Sequence, residues 1–408
     1  MSDFLFQHSL IASSILKVVV LLFMVLTALA YLTWFERKVV AHIQSRWGPY
    51  RVGPHGLLQP LADGLKFITK EDPMPAGVDK FVFVLAPLLA MTVALTALGV
   101  IPFGPQEIEL FGRKTSLAIV DLNLGLLFLF AITSLGVYGV ALAGWASNSK
   151  YPLLGGLRSS AQMVSYELAL TLSVVGVILM AGSLSLRDII QSQSGWSWHF
   201  LPRWNLFAGP LPQVLGFFCY FTAAIAETNR APFDLAEAEQ ELVGGFHTEY
   251  SSMKFAMFFM AEYANMVTVS CLATILFFGG WLSPLPSTGP WAWTLYLPAA
   301  VFVLCGIALV WDGVRYTTPI GKVELVVLGV VLAAAGGLTA APFAINLVQG
   351  PFWFLTKVLV FLFIYVWVRG TLPRFRYDQL MAIGWKLLLP VSLANVLFTS
   401  LAIVVKNK

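Results

Sequence analysis

Charge is scarce in this sequence. Asp, Glu, Lys and Arg make up 11% of its 408 residues, against about 25% in a water-soluble protein. Cysteine is nearly absent as well: Cys219, Cys271 and Cys305 all lie inside apolar runs, far apart, with no CxxC pair. That spacing argues against an iron–sulfur, haem c or structural zinc site. No Walker-type or GxGxxG loop occurs either. The nearest candidate, Gly48 to Gly56, carries Pro49 and Pro54, which remove the backbone donors a phosphate cradle would use. Any redox or nucleotide chemistry is therefore expected to draw its cofactors from partners, with no metal held here.

Apolar residues fill the space left by charge. They make up 58% of the chain, and the mean hydropathy is +0.80. Runs long enough to cross ~30 Å of hydrocarbon as helices recur along the chain. They are not the short alternating segments of a β-barrel. The run Ile11–Phe35 is too long for a signal-peptide core, lacks a basic region before it, and reads as a retained first span. The expected fold is an all-α, polytopic membrane helix bundle of about ten transmembrane helices. The runs place them at 11–35, 81–103, 122–144, 163–182, 211–226, 254–281, 295–311, 325–348, 351–369 and 385–405.

The connecting segments alternate between two sides. The side holding 36–80, 145–162, 227–254, 312–324 and 369–386 carries 17 of the 25 Lys and Arg. By the positive-inside rule that side is cytoplasmic, which puts the N-terminus outside. It also carries 14 of the 21 Asp and Glu, an excess the rule does not require, so function is sought on this face.

Two segments there have patterned chemistry. In 36–80, Gln59, Asp63, Lys66 and Lys70 share one face of an amphipathic helix, and Leu57, Leu61, Leu65 and Ile68 share the opposite one. Such a helix either anchors at the interface or roofs a cavity. The acidic segment 227–254 sets, between Glu227 and Glu249, six acids against one base, Arg230. Asp234 and Glu237 fit a capping box, but Glu237 and Glu241 form a like-charge i, i+4 pair that weakens a helix. The segment is either a solvated acidic face or a set of crowded carboxylates suited to proton exchange.

Within the spans, Glu262 lies about 10 Å deep, with Asn265 one turn on as a possible partner. Glu167 lies about one turn into its span. Intramembrane acids are functional candidates. Their partner would be one another, Lys357, or none if protonated. Lys357 itself reads equally as a snorkelling side chain or a buried counter-charge. Residues alone thus support proton or cation handling; against a stand-alone transporter stands the lack of an internal inverted repeat.

Several long gapless motifs resemble the H membrane-subunit family of proton-pumping NADH:quinone oxidoreductase, respiratory complex I. They include Glu36-Arg37-Lys38, Arg46-x-Gly48-Pro49-x-Arg51-Val52-Gly53-Pro54 with Gly56 to Asp63, and Ala226 through Glu237. Glu249 to Ser252, Ala261-Glu262-Tyr263, Gly144 to Tyr151, Ser165-Tyr166-Glu167 and Leu372 to Leu380 complete the match. The resemblance implies a quinone chamber near Arg37, Arg46, Arg51, Asp63, Phe233 and Asp234. It implies a proton path through Glu167, Glu227, Glu237, Glu239, Glu241 and Glu262. No redox cofactor would sit on this chain, and quinone would be the substrate. FMN and iron–sulfur clusters would sit on hydrophilic partner subunits, alongside small and antiporter-like membrane subunits. The setting implied is membrane lipid of a bacterial inner membrane rather than an organellar one, with no nucleic-acid partner. A membrane-bound hydrogenase or formate-oxidising complex shares the architecture, but the intact Pro232-Phe233-Asp234-Leu235 and Glu239-Gln240-Glu241-Leu242 stretches favour the quinone-linked type. The segment 282–349 departs from the family's usual eight spans by two more helices, and contact with lipid or a neighbouring subunit is the role expected for it.

Overall fold

The computed structural model describes residues 2–105, 108–110, 113–115, 120–197, 201–234, 243–286, 289–316 and 319–406. The chain is an all-α membrane bundle. Among the described residues, nine helices are long and apolar enough to cross a membrane. They are α1 (Ser2–Ile43), α3 (Lys80–Val100), α4 (Gly125–Ala146), α5 (Lys150–Ala181) and α8 (Ser252–Phe277). After these come α9 (Leu297–Arg315), α10 (Pro319–Thr339), α11 (Pro342–Thr371) and α12 (Tyr377–Lys406). Between them lie the amphipathic α2 (Gln59–Thr69), the short α6 (Leu186–Ser192) and α7 (Val214–Glu227). Two small hairpins, Ile108–Leu110 with Arg113–Thr115 and Trp196–Ser197 with Leu201–Pro202, decorate the links.

The fifth expected span, 211–226, is α7. Its 14 residues reach only about 21 Å at 1.5 Å per residue, short of a full crossing. It is stopped at one end by Gln213, buried and bonded to the Thr399 hydroxyl at 2.9 Å and by the Asn395 amide at 2.8 Å. At the other end, Thr228 to Asp234 leave the helix.

Several helix boundaries differ from the hydropathy reading, and three of the differences bear on the charged residues or on where helices break. Helix α1 runs on to Ile43, so Glu36, Arg37 and Lys38 lie on a helix rather than opening a loop. Helix α5 starts at Lys150, well before 163, because Ser159 and Gln162 interrupt the apolar run while remaining buried in the helix. Glu167 is consequently in the middle of α5, not one turn inside it. The break expected near Pro351 occurs at Ala340–Ala341, with Pro342 opening α11 and Pro351 inside it. Proline at a first helical position costs no hydrogen bond, and a mid-helix proline is tolerated where neighbouring helices support it.

Helix α8 is the most enclosed span, with 72% of its apolar window buried, and α3, α7 and α11 pack around it. Helix α5 sits between α4, α7 and α12. In α12, a π-helical turn at Ile383–Leu388 adjoins the Leu380 carbonyl that accepts a 2.7 Å bond from the buried Tyr166 hydroxyl. Such turns divert backbone carbonyls from the regular ladder. The pair α9–α10, occupying most of 282–349, packs mainly on itself. A Cβ on Gly306 would come within 2.6 Å of the Gly329 carbonyl, so only glycine permits this approach.

Candidate functional site: a row of paired ionic groups

The charge-rich end of the bundle begins with α1, the loop 44–58 and α2. The Arg37 guanidinium bonds Asp63 Oδ2 at 2.7 Å, and the Gln59 amide donates to Asp63 Oδ1 at 2.9 Å. The polar face of α2 thereby closes against α1, while Leu61, Leu65 and Ile68 stay exposed on its other side. The pair is only partly covered, with side chains 49% and 26% exposed. Arg46, which meets the Gln44 amide, and Arg51 stand exposed on the loop. Gly53 and Gly56 adopt left-handed backbone (φ 71° and 78°); the Gly-Pro pairs are the local reason this stretch turns instead of continuing α1.

On another face of the same helix, the neighbouring Glu36 of α1 joins a buried ionic cluster. Glu36 is 6% exposed. It is ion-paired to Arg369 of α11, accepts a 2.7 Å bond from the Tyr263 hydroxyl of α8, and lies 3.8 Å from Arg230. Arg230 in turn lies 3.9 Å from Glu262 and stands over the Tyr263 ring, 4.1 Å from its centroid. Glu262 therefore finds Arg230, a partner that local sequence did not suggest. Lys357 is elsewhere. Its ammonium donates to the carbonyls of Phe278, Gly280 and Leu282 at 2.7–2.9 Å and sits 4.5 Å from the Trp204 ring. It caps the end of α8, neither a snorkelling side chain nor a carboxylate's counter-charge.

Sequence reasoning missed Glu36, Arg230 and Arg369 as site residues. Arg230 had a visible signal, being the lone base amid six acids. Glu36 entered only as the first residue of the Glu36-Arg37-Lys38 motif and Arg369 only as a charge at a span end, and nothing local distinguishes either from a solvated charge.

Deeper in, α4, α5, α7 and α8 enclose a cavity with about 20 Å³ of room for water centres, enough for about one water. Glu227, Thr228, Thr133, Asn265 and Thr268 supply its polar lining. Glu227 Oε2 is buried and, among the described residues, has no hydrogen-bond partner. Asn265 faces this cavity. Glu167 is within electrostatic reach of Glu227 and bonds the Ser134 hydroxyl of α4.

Phe233 is a packing residue, 6% exposed. It is stacked on Phe375 with centroids 5.4 Å apart and near Tyr166 at 6.2 Å. The buried Gln162 amide donates to both the Ala226 and Phe233 carbonyls, at 2.7 and 2.8 Å, fixing both ends of the turn that carries Arg230. Asp234 follows, half-buried. Glu237, Glu239 and Glu241 lie outside the described residues.

The model of the NADH dehydrogenase family matches residues 16–400. The chain belongs to the H-subunit family of NADH-quinone oxidoreductase. It is 51% identical to a protein named as the first H-type subunit of NADH-quinone oxidoreductase from Solibacter usitatus, over 96% of each chain. It is also 51% identical to the second such subunit of Koribacter versatilis, over 96% of this chain and 97% of that one. The second one of Geobacter metallireducens is 44% identical over 95% of both. Coverage of 96% on both sides leaves no room for the Solibacter relative to lack the 282–349 segment.

Proposed function

We propose that this chain forms the membrane part of the quinone chamber of a proton-translocating NADH:quinone oxidoreductase. In this reading its buried carboxylates couple quinone reduction to proton movement. The carrying observation is the succession of polar and ionisable groups. Asp63–Arg37 at the edge adjoins the cluster of Glu36, Arg369, Arg230 and Glu262; one turn beyond Glu262, Asn265 lines the internal cavity that also holds Glu227, with Glu167 in electrostatic reach.

Arg37, Arg46, Arg51 and Asp63 form the polar mouth, where guanidinium groups suit a quinone headgroup's carbonyl oxygens. Apolar span surfaces suit an isoprenoid tail. Phe233 and Asp234 follow at the inner end. Reduction of the headgroup builds negative charge and takes up protons. In a low-dielectric interior such a change redistributes the partners of every nearby ion pair. Arg230, shared between Glu36 and Glu262, is a group that can favour either. A carboxylate released from its cation rises in proton affinity, which is how a charge change at the mouth is passed inward to Glu262, Glu227 and Glu167. Glu237, Glu239 and Glu241 extend the path. Electrons come from iron–sulfur clusters on hydrophilic partner subunits, and FMN sits there too. The charge-rich face is cytoplasmic and the N-terminus outside, in a bacterial inner membrane.

Gentle detergent extraction of the tagged chain, with mass spectrometry of what copurifies, tests this. Flavin and iron–sulfur subunits with antiporter-like membrane subunits are the expected result. A nickel–iron hydrogenase subunit would move the chain to that branch, and an isolated chain that moves ions in liposomes would refute the coupling role.

A further inference from the structure

The inner end of the α9–α10 hairpin is not confined to lipid. Its Asp312 and Tyr316 reach the loop 44–58, the segment that carries Arg46 and Arg51. His55 on that loop is held from three directions. Its backbone N–H donates to the Tyr316 hydroxyl at 3.3 Å, and its ring meets Asp312 Oδ2 at 2.7 Å. Its carbonyl accepts from the Trp34 indole at 3.3 Å. The rings of Tyr50, His55 and Tyr316 close into a trio with centroids 5.2–6.3 Å apart. The Tyr316 hydroxyl also holds the Tyr50 phenol above its usual range.

These contacts matter because of the backbone they hold. His55 has φ 53° and ψ 20°, left-handed without being glycine. Such a conformation persists only where surroundings impose it. Two of its three polar contacts come from the hairpin. The loop's other end is tied to α1, where the Lys38 ammonium donates to the Trp47 carbonyl at 3.3 Å and Gly48 packs on Ala41. Arg46 and Arg51 lie on this doubly tied loop, exposed.

We propose that Asp312 and Tyr316 are positioning residues for the quinone mouth: the hairpin clamps His55, fixes the loop 44–58, and so sets how tightly a quinone headgroup is received. This rests on the reading of Arg46 and Arg51 as part of that mouth. It gives the 282–349 segment a role beyond lipid contact. The clamp does not touch the reacting atoms, so it acts on quinone affinity and leaves the chemical step alone.

The experiment is made on the assembled complex in detergent, with Asp312→Ala/Tyr316→Phe, and Asp312→Asn as the conservative variant. Exposed contacts of this kind are each worth at most about a fivefold change in an equilibrium, so the double variant is the informative one. Hydrogen exchange at residues 52–57 is expected to rise severalfold, and the quinone KM to rise severalfold with kcat unchanged. Asp312→Asn, which keeps an acceptor for the imidazole, is expected to recover most of both. Unchanged exchange at His55 and Gly56 would overturn the clamp. A matching fall in kcat with unchanged KM would overturn the affinity role. Arg46→Ala separates the two layers. If it leaves KM unaltered, the mouth is misplaced. If it raises KM while the hairpin variants do not, the clamp is wrong and the mouth stands.

Discussion

Tyr263 donates its hydroxyl to Glu36 across the interface of α8 and α1, at 2.7 Å, while its ring face carries the Arg230 guanidinium. One aromatic side chain thus serves an anion with its hydroxyl and a cation with its face. The phenol O–H donates the first contact, and the quadrupole of the ring attracts the second. It keeps Arg230 within 4 Å of two carboxylates, Glu36 and Glu262, without committing it to either.

Arg230 is accordingly expected to resist conservative replacement. Arg230→Met leaves Glu36 and Glu262 with less compensation in the interior, and stripping one partner from a buried pair costs about 3–5 kcal/mol. Arg230→Lys retains the charge but not the planar group that spans two carboxylates and a ring. Both variants should lower the yield of assembled complex on blue native gels, Met more than Lys. Assembly of Arg230→Met at normal yield would show that Glu36 needs only Arg369.

Asp63 behaves differently because its pair with Arg37 is partly exposed. Such pairs contribute about 0.2–1 kcal/mol, so Asp63→Asn should assemble normally. Quinone reduction and proton translocation are expected to fall together, measured as NADH:quinone turnover and acidification in proteoliposomes. If translocation alone fell, Asp63 would belong to the proton path instead of the mouth.

Glu227→Gln addresses the cavity. The amide matches the carboxylate in shape and removes a group whose Oε2 is buried with no hydrogen-bond partner among the described residues, so stability should be unchanged or improved. The expected loss is in protons moved per electron, read from the ratio of the two rates in proteoliposomes. An unaltered ratio would remove Glu227 from the path.

Lys357→Met tests a structural assignment. It deprives three carbonyls beyond α8 of a charged donor, and bonds of that type contribute about 1.5–3 kcal/mol each. A lower thermal midpoint of the complex in detergent is expected, with turnover per assembled complex retained. Loss of translocation at unchanged stability would instead make Lys357 functional.

Particular residues show where legibility in the sequence ended. The helical bundle and its spans were readable because hydrocarbon demands internal backbone hydrogen bonding over about 30 Å, which long apolar runs announce. Glu262 and Glu167 stood out because acids inside such runs are rare. The true length of α5 was hidden, since buried Ser159 and Gln162 look like loop residues to a hydropathy measure. So was the extension of α1 that makes Glu36 a helical residue.

The sequence by itself determined a polytopic helix bundle, the concentration of charge at one face, and the residue types available for proton handling. Solvent chemistry imposes those features locally, residue by residue. The tertiary structure alone decided which charges meet: Glu36 with Arg369 and Tyr263, Arg230 with Glu262, Lys357 with backbone carbonyls, and Asp312 with His55. Ion pairing between distant segments depends on how helices rotate and dock, and that is settled by packing across the whole bundle.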